Sequence, residues 1–119
     1  MPRVKPNKYD QMFSRWIRTR DDWTCQRCGG QYEPPTRALH NSHYYRRGIH
    51  ATRFDPDNCI ALCYGCHALL EGDKQGAYME LMVDRLGRAS FGELALRSGT
   101  TVKKRIAEQE AFEWLKESL

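Results

Sequence analysis

The chain has 119 residues, with 19 Lys and Arg against 15 Asp and Glu, and its formal net charge is +4. This length predicts one domain, and a hydrophobic content of 40% excludes a disordered protein. No apolar run is long enough to cross a membrane, and the N-terminus lacks the apolar stretch of a secretory signal. We therefore expect a cytoplasmic protein with no membrane partner, whose five cysteines are metal ligands or free thiols.

The first part of the chain predicts a helix, two short strands and a second helix. Apolar residues recur at helical spacing over residues 8–20, and residues 25–35 are rich in Gly and Pro turns. The elements that follow are a strand over 38–45, a polar loop over 46–58, a strand over 59–62 and a helix over 64–71.

The last third of the chain predicts further helices. A helical pattern ends before Gly87, which is a suitable stop signal. Ser90 and Glu93 have the spacing of a capping box, which predicts Ser90 as the N-cap of the next helix. We expect a final helix over residues 101–116, with Trp114 docked on the N-terminal helix.

Positive charge is concentrated at the N-terminal end. Residues 1–20 carry six basic residues, among them Arg3 and Arg18, and a single acid, Asp10, which gives the segment a net charge of +5. Such a segment can contact DNA phosphates, with a binding strength that falls as salt rises. A solvated helix face accounts for the same charges equally well, so charge alone leaves both interpretations open.

Two Cys-x-x-Cys pairs are the strongest motif in the sequence. Each two-residue gap lets a tight turn direct two sulfurs at one ion, and two such pairs complete a closed tetrahedral site. Cys59 lies outside this pattern in an apolar run, which predicts a small buried thiol. The sequence thus predicts a structural Zn²⁺ held by Cys25, Cys28, Cys63 and Cys66.

Three polar residues interleave with these cysteines in a fixed order. They are His43, Asn58 and His67, and the last directly follows Cys66. With this order the chain resembles the HNH endonuclease family over roughly residues 24–72. The resemblance implies a ββα-metal fold, and together with the predicted flanking helices it predicts a small, mainly helical α+β protein stapled by zinc.

We divide the predicted single domain into three parts. A basic N-terminal arm and helix occupy residues 1–24, the zinc-stapled core occupies 25–72, and a helical extension occupies 73–119. Over about residues 8–90 the chain is also similar to phage recombination nucleases of the NinG (Rap) type. The motifs that carry this likeness are Ile17–Asp21, Ser42-His43-Tyr44, Thr52–Asn58 and Tyr78.

The resemblance implies a role for each of the three polar residues. His43 is the general base, His67 holds a catalytic divalent cation (Mg²⁺, or another such as Mn²⁺ or Ni²⁺), and Asn58 orients the loop and the base. The implied products carry 5′-phosphate and 3′-hydroxyl ends. The implied setting is a phage or prophage gene product in the host cytoplasm, acting on DNA beside recombination or terminase proteins.

One position departs from the family pattern. Many HNH enzymes place Asp or a second His directly before the base as a metal ligand. Here that position is Ser42, a poor ligand, which by its place in the pattern stands with His67 and Glu71 as a candidate for the catalytic metal site. Glu71 is a candidate replacement because it lies four residues after His67, on the same helix face. His40 and Asp73 are weaker candidates, and a shell completed by water and DNA phosphate is the remaining alternative.

Four arginines are candidate phosphate contacts, because a guanidinium matches phosphate geometry through two parallel hydrogen bonds. Three lie on the loop after the base and one lies on the first helix: Arg46, Arg47, Arg53 and Arg18. A solvated loop is the alternative for the first three.

Two functions follow from these observations. The first is a divalent-metal-dependent HNH DNA endonuclease that makes nicks or double-strand breaks, where concerted double-strand cleavage implies a homodimer. The second is a catalytically weak or inactive zinc-stabilised DNA-binding module, for which Ser42 is the best support. An RNA nuclease is a third, less favoured class.

Overall fold

A computed structural model describes residues 5–73 and 76–118, so Arg3 of the basic arm lies outside the described residues. Within these ranges the chain forms five α-helices and two strands, a small α+β fold that confirms the predicted fold class. They are α1 Lys8–Arg20, β1 Leu39–His43, β2 Cys59–Cys63, α2 Tyr64–Glu71, α3 Ala77–Leu86, α4 Arg88–Ser98 and α5 Lys104–Glu117. No helix in the described ranges has the length and apolar character needed to cross a bilayer.

The two strands form one antiparallel hairpin that leads directly into α2. Register runs from Leu39 opposite Cys63 to His43 opposite Cys59. A 3₁₀ turn, Pro56–Asn58, closes the long loop between the strands just before β2 begins. This strand–strand–helix order puts the end of β1 beside the first turns of α2.

A capping box starts α1 at the predicted residue. The Asn7 side chain accepts hydrogen bonds from the amides of Tyr9 and Asp10, and the Asp10 side chain accepts one from the Asn7 amide. On its apolar side α1 packs against α5, with the Trp114 ring 5.1 Å from that of Trp16 and 6.0 Å from that of Phe13. The predicted docking of Trp114 on the N-terminal helix is therefore confirmed.

Buried apolar residues form two clusters that meet at β2. The zinc-side cluster includes Leu39, Ile60, Ala61, Leu62, Leu70, Met82 and Leu94. The helix-side cluster contains Phe13, Ile17, Phe54, Cys59, Ala107, Ala111 and Leu115. Cys59 is fully buried, and this burial raises the pKa of its thiol, as expected for a core residue.

Two predicted helix starts are wrong. The helix α4 begins at Arg88 with Gly87 as its N-cap, because the Phe91 amide already donates to the Gly87 carbonyl, and Ser90 therefore lies inside the helix. The helix α5 begins at Lys104 and not at residue 101, after β-branched residues that favour extended backbone. The predicted helices 8–20 and 64–71 are confirmed at both ends.

Candidate functional site

The four predicted zinc ligands lie together, so they could hold a zinc ion. Each Sγ atom of Cys25, Cys28, Cys63 and Cys66 lies within 4.8 Å of the others. The Sγ atoms of Cys28 and Cys63 are 3.8 Å apart. A tetrahedron with Zn–S bonds of about 2.3 Å has edges of about 3.8 Å. The Cys28–Cys63 pair has this spacing, and the other pairs lie no more than 4.8 Å apart.

Backbone hydrogen bonds shape the first cysteine turn. The Cys25 amide donates to the Gly30 carbonyl, and the Gly29 amide donates to the Cys25 carbonyl. Gly29 has φ +79°, which a residue without Cβ adopts at no steric cost. Burial opposes ionisation of Cys25, but hydrogen bonds from surrounding backbone amides outweigh it and lower the pKa of this thiol to about 6. The turn thus favours the thiolate that a metal ion binds.

Beside this cluster lies an open cleft of about 960 Å³, between the end of β1, the loop that follows it and α2. Its lining includes Asn41, His43, Arg46, Arg47, His67, Glu71 and Asp73. The cleft therefore brings together both predicted histidines, the candidate ligand Glu71 and two of the four predicted phosphate contacts.

His43 stands at the end of β1 with a fixed ring orientation. Its Nε2 donates to the Arg53 carbonyl oxygen at 2.8 Å, which leaves Nδ1 as a hydrogen-bond acceptor. Burial lowers the pKa of His43 to about 4, although the Arg53 carbonyl favours the charged ring. The ring is therefore neutral at pH 7 and able to accept a proton.

Asn58 ties the two ends of the loop that holds His43. Its Oδ1 accepts from the Tyr45 amide at 2.8 Å, and its Nδ2 donates to the carbonyls of Tyr45 and Thr52 at 2.9 and 3.0 Å. Asn58 is fully buried, so these bonds satisfy a group that water does not reach. Since Thr52 precedes Arg53, the Asn58 side chain holds the backbone that accepts from His43, while its role in catalysis stays a prediction.

His67 and Glu71 form a pair on one face of α2. His67 Nε2 lies 2.9 Å from Glu71 Oε1, and His67 Nδ1 lies 2.9 Å from His40 Nδ1. Burial and the nearby His67 lower the pKa of His40, which keeps the His40 ring neutral. Outside the cysteine cluster, no third His, Cys, Asp or Glu of the described residues completes a preformed ligand group here.

Ser42 does not fit the predicted ligand position. It is fully buried, and its hydroxyl lies 2.6 Å from the Tyr78 hydroxyl. Successive side chains on a strand point to opposite faces, so Ser42 faces α3 when His43 faces the cleft. The expectation that Ser42 contributes to the catalytic metal site is therefore wrong.

Asn41 is a cleft residue that the sequence interpretation missed. Its Oδ1 atom is buried and has no hydrogen-bond partner among the described residues. Asn41 lies two positions before His43, and residues two apart on a strand share a face. This two-residue periodicity was the available signal.

Two of the four predicted phosphate contacts are instead part of the fold. Arg53 is fully buried and forms two hydrogen bonds with Asp10, at 3.0 and 2.6 Å. Arg18 donates to the Thr36 carbonyl at 3.0 Å, and its guanidinium lies over the Trp23 ring. Arg53 is therefore excluded as a DNA contact, and Arg18 is committed to packing.

Comparison with known proteins identifies one family. The family model described as Bacteriophage Lambda NinG protein matches residues 4–117, which include both the cysteine cluster and the cleft. No curated protein and no solved structure matches the chain. The resemblance to NinG-type phage proteins is confirmed by this match, whereas membership of the HNH endonucleases stays a prediction.

Proposed function

The chain belongs to the bacteriophage lambda NinG protein family, and we propose that it is a divalent-metal-dependent DNA endonuclease with an HNH-type active site. The observation that carries this proposal is the cleft in which His43 stands beside the His67–Glu71 pair. The proposed setting is phage DNA recombination or packaging in the host cytoplasm.

His43 is the general base in this proposal. Phosphodiester hydrolysis needs a group that takes a proton from the attacking water, and a neutral imidazole can do so. The Arg53 carbonyl fixes the Nε2–H form of the ring, so the free lone pair is on Nδ1. The Asn58 side chain holds the same loop in place and thereby supports this orientation.

Residues on α2 and β1 fit a hard divalent cation. Adjacent ligands of octahedral Mg²⁺, at bond lengths of 2.0–2.1 Å, are about 2.9 Å apart, and His67 Nε2 and Glu71 Oε1 have this separation. The unpartnered oxygen of Asn41 supplies a third candidate ligand in place of Ser42. When bound, the cation neutralises charge on the scissile phosphate and stabilises the leaving oxygen.

The chain's own residues orient the other participants. With a cation bound, His67 would carry its proton on Nδ1, donate it to the neutral His40 ring and offer Nε2 as a ligand atom. Arg46 and Arg47 line the cleft and are placed to hold phosphates of the bound strand. No base-reading role is assigned to either arginine.

Conversion of supercoiled plasmid to nicked and linear forms tests this proposal. The purified chain, with Mg²⁺, Mn²⁺ or Ni²⁺ in separate reactions, is expected to nick the plasmid, and a chelator is expected to stop the reaction. His43→Ala should slow nicking by about 10²–10⁴-fold, the usual contribution of a general base. Zinc content and the thermal melting curve of this variant serve as controls and should match the wild-type values.

Two results would contradict the proposal. Nicking by His43→Ala at the wild-type rate would remove His43 as the base. Absence of cleavage by the wild-type chain with every cation would favour the second function, a zinc-stabilised DNA-binding module. The inward orientation of Ser42 favours that alternative, because it leaves the site one ligand short of the family pattern.

A further inference from the structure

We propose that the buried ion pair between Asp10 and Arg53 positions the catalytic base, so that α1 controls the orientation of a ring on β1. This inference rests on the proposed function for its catalytic consequence, but its structural part concerns only the His43 ring. Asp10 and Arg53 are positioning residues here, since neither contacts the substrate.

One residue joins the helix to the ring. The Arg53 side chain forms two hydrogen bonds with the Asp10 carboxylate, at 3.0 and 2.6 Å, while the Arg53 carbonyl oxygen accepts from His43 Nε2 at 2.8 Å. Because the Arg53 side chain is fully buried and bonded at its tip, it restrains the backbone to which the imidazole is bonded.

The surroundings of Arg53 hold its side chain rigidly. The guanidinium also lies 3.8 Å from Glu108 on α5 and 3.4 Å from His50 Nδ1. Glu108 in turn accepts from the Asn7 side chain, so α1 and α5 enclose the charge from two sides. The side chain is fully buried, and it has no route to solvent.

Stability alone does not account for this arrangement. Desolvating two charges costs several kcal/mol per ion, and well-packed apolar residues of similar volume are often at least as stabilising as a buried ion pair. Apolar side chains, however, make no directional contacts that would fix one orientation of the residue. Two parallel hydrogen bonds fix the guanidinium in one orientation, and the buried stem of Arg53 carries this restraint to its backbone.

The position of that carbonyl decides the tautomer of His43. A neutral imidazole carries its proton on one nitrogen, and the hydrogen bond made by one nitrogen sets the state of the other. With the Arg53 carbonyl in place, the proton stays on Nε2 and Nδ1 can accept the proton of water. If the carbonyl moves, the Nδ1–H form becomes populated and the base is lost in that fraction of molecules.

NMR of ¹⁵N-histidine-labelled protein tests the inference without any activity measurement. In the wild-type chain, His43 should be in the Nε2–H form. Asp10→Asn keeps the side-chain shape but removes its charge, and should produce a mixture of both tautomers. In the plasmid assay the same variant should slow nicking by at least tenfold, with little change in the DNA concentration needed for half-maximal rate.

Asp21→Asn is the matched control. Asp21 is an equally buried aspartate at the end of α1 that pairs with Arg20 and Arg85 and accepts from the Ala61 amide, and none of these described bonds involves Arg53 or His43. Its variant should lose comparable stability and leave the His43 tautomer unchanged. If Asp10→Asn does not fold, Arg53→Lys provides the test, because lysine keeps the charge but not the paired hydrogen bonds.

A wild-type His43 spectrum in Asp10→Asn or Arg53→Lys would overturn the inference, as would an equal change in Asp21→Asn. The failure of the proposed function gives a different result. In that case the tautomer of His43 shifts in the Asp10 variant while no form of the protein, including the wild type, cuts DNA.

Discussion

The cysteine cluster and the cleft are built from neighbouring residues but differ in how complete they are. Four sulfurs lie within 4.8 Å of one another and could hold a zinc ion in a closed tetrahedral site. In the cleft, His67 and Glu71 form a pair, and Asn41, which lines the same cleft, has a buried oxygen without a hydrogen-bond partner among the described residues. A closed site suits a structural ion, and an open one leaves room for water and substrate.

The difference is instructive because one peptide bond joins the two sites. Cys66 and His67 are consecutive residues in the first turns of α2. An ion held by the cysteines would therefore fix the backbone from which His67 projects. The closed site supplies rigidity that the open site, with few ligands of its own, cannot supply.

The largest expected effect comes from opening the closed site. Cys25→Ser should abolish zinc binding and cooperative folding, because binding of a structural zinc contributes about 10–16 kcal/mol and a whole domain is stable by only about 5–15 kcal/mol. Elemental analysis and thermal melting measure the two effects. Cys59→Ala is the control, since this buried thiol lies outside the cluster and its loss should leave one zinc per chain. A zinc-loaded Cys25→Ser protein with wild-type melting would contradict the prediction.

A smaller but selective effect is expected from the open site. His67→Ala should keep the structural zinc and the fold, while Mn²⁺ binding measured by calorimetry weakens and nicking slows by about 100-fold or more. Leu69→Ala is the matched control, because Leu69 lies on the same helix, is 54% exposed and does not line the cleft. Equal Mn²⁺ affinity in the two variants would remove His67 from the ligand set.

The smallest expected effect concerns Asn41. Asn41→Leu should raise the melting temperature slightly, because it removes a buried oxygen without a partner, whose burial costs about 1–3 kcal/mol. The same variant should weaken Mn²⁺ binding by about tenfold, whereas Asn41→Asp should strengthen it by adding a charge. A higher melting temperature together with weaker Mn²⁺ binding in Asn41→Leu would identify Asn41 as a metal ligand. A lower melting temperature would identify it as a packing residue and contradict the prediction.

Local signals in the sequence were sufficient for several elements. The helix at residues 8–20 has its own capping box and an apolar stripe, and the strand and helix from Cys59 onward follow turn and periodicity signals. Each cysteine pair can also be recognised locally, because its two cysteines are separated by only two residues. For these features, the residues that determine the local structure lie within a few positions of the element they form.

Features that depend on distant residues could not be predicted in the same way. Arg53 looked like a phosphate contact because it lies on the loop after His43; its partner, Asp10, lies 43 residues earlier on α1. Ser42 was assigned to the catalytic metal site because it directly precedes His43. Alternation of side chains along β1 places it on the opposite face of the strand. Gly87 starts α4 without a side-chain cap, which left the Ser90 pattern as a misleading local signal.

The cysteine cluster also changes the charge with which the molecule would attract its proposed partner, DNA. The formal charge of +4 counts every thiol as neutral. Four thiolates around one Zn²⁺ lower this charge to +2, and they do so on one side of α2. Electrostatic steering by such a chain depends on the local field at the mouth of the cleft, where Arg46 and Arg47 lie, rather than on the charge of the whole molecule.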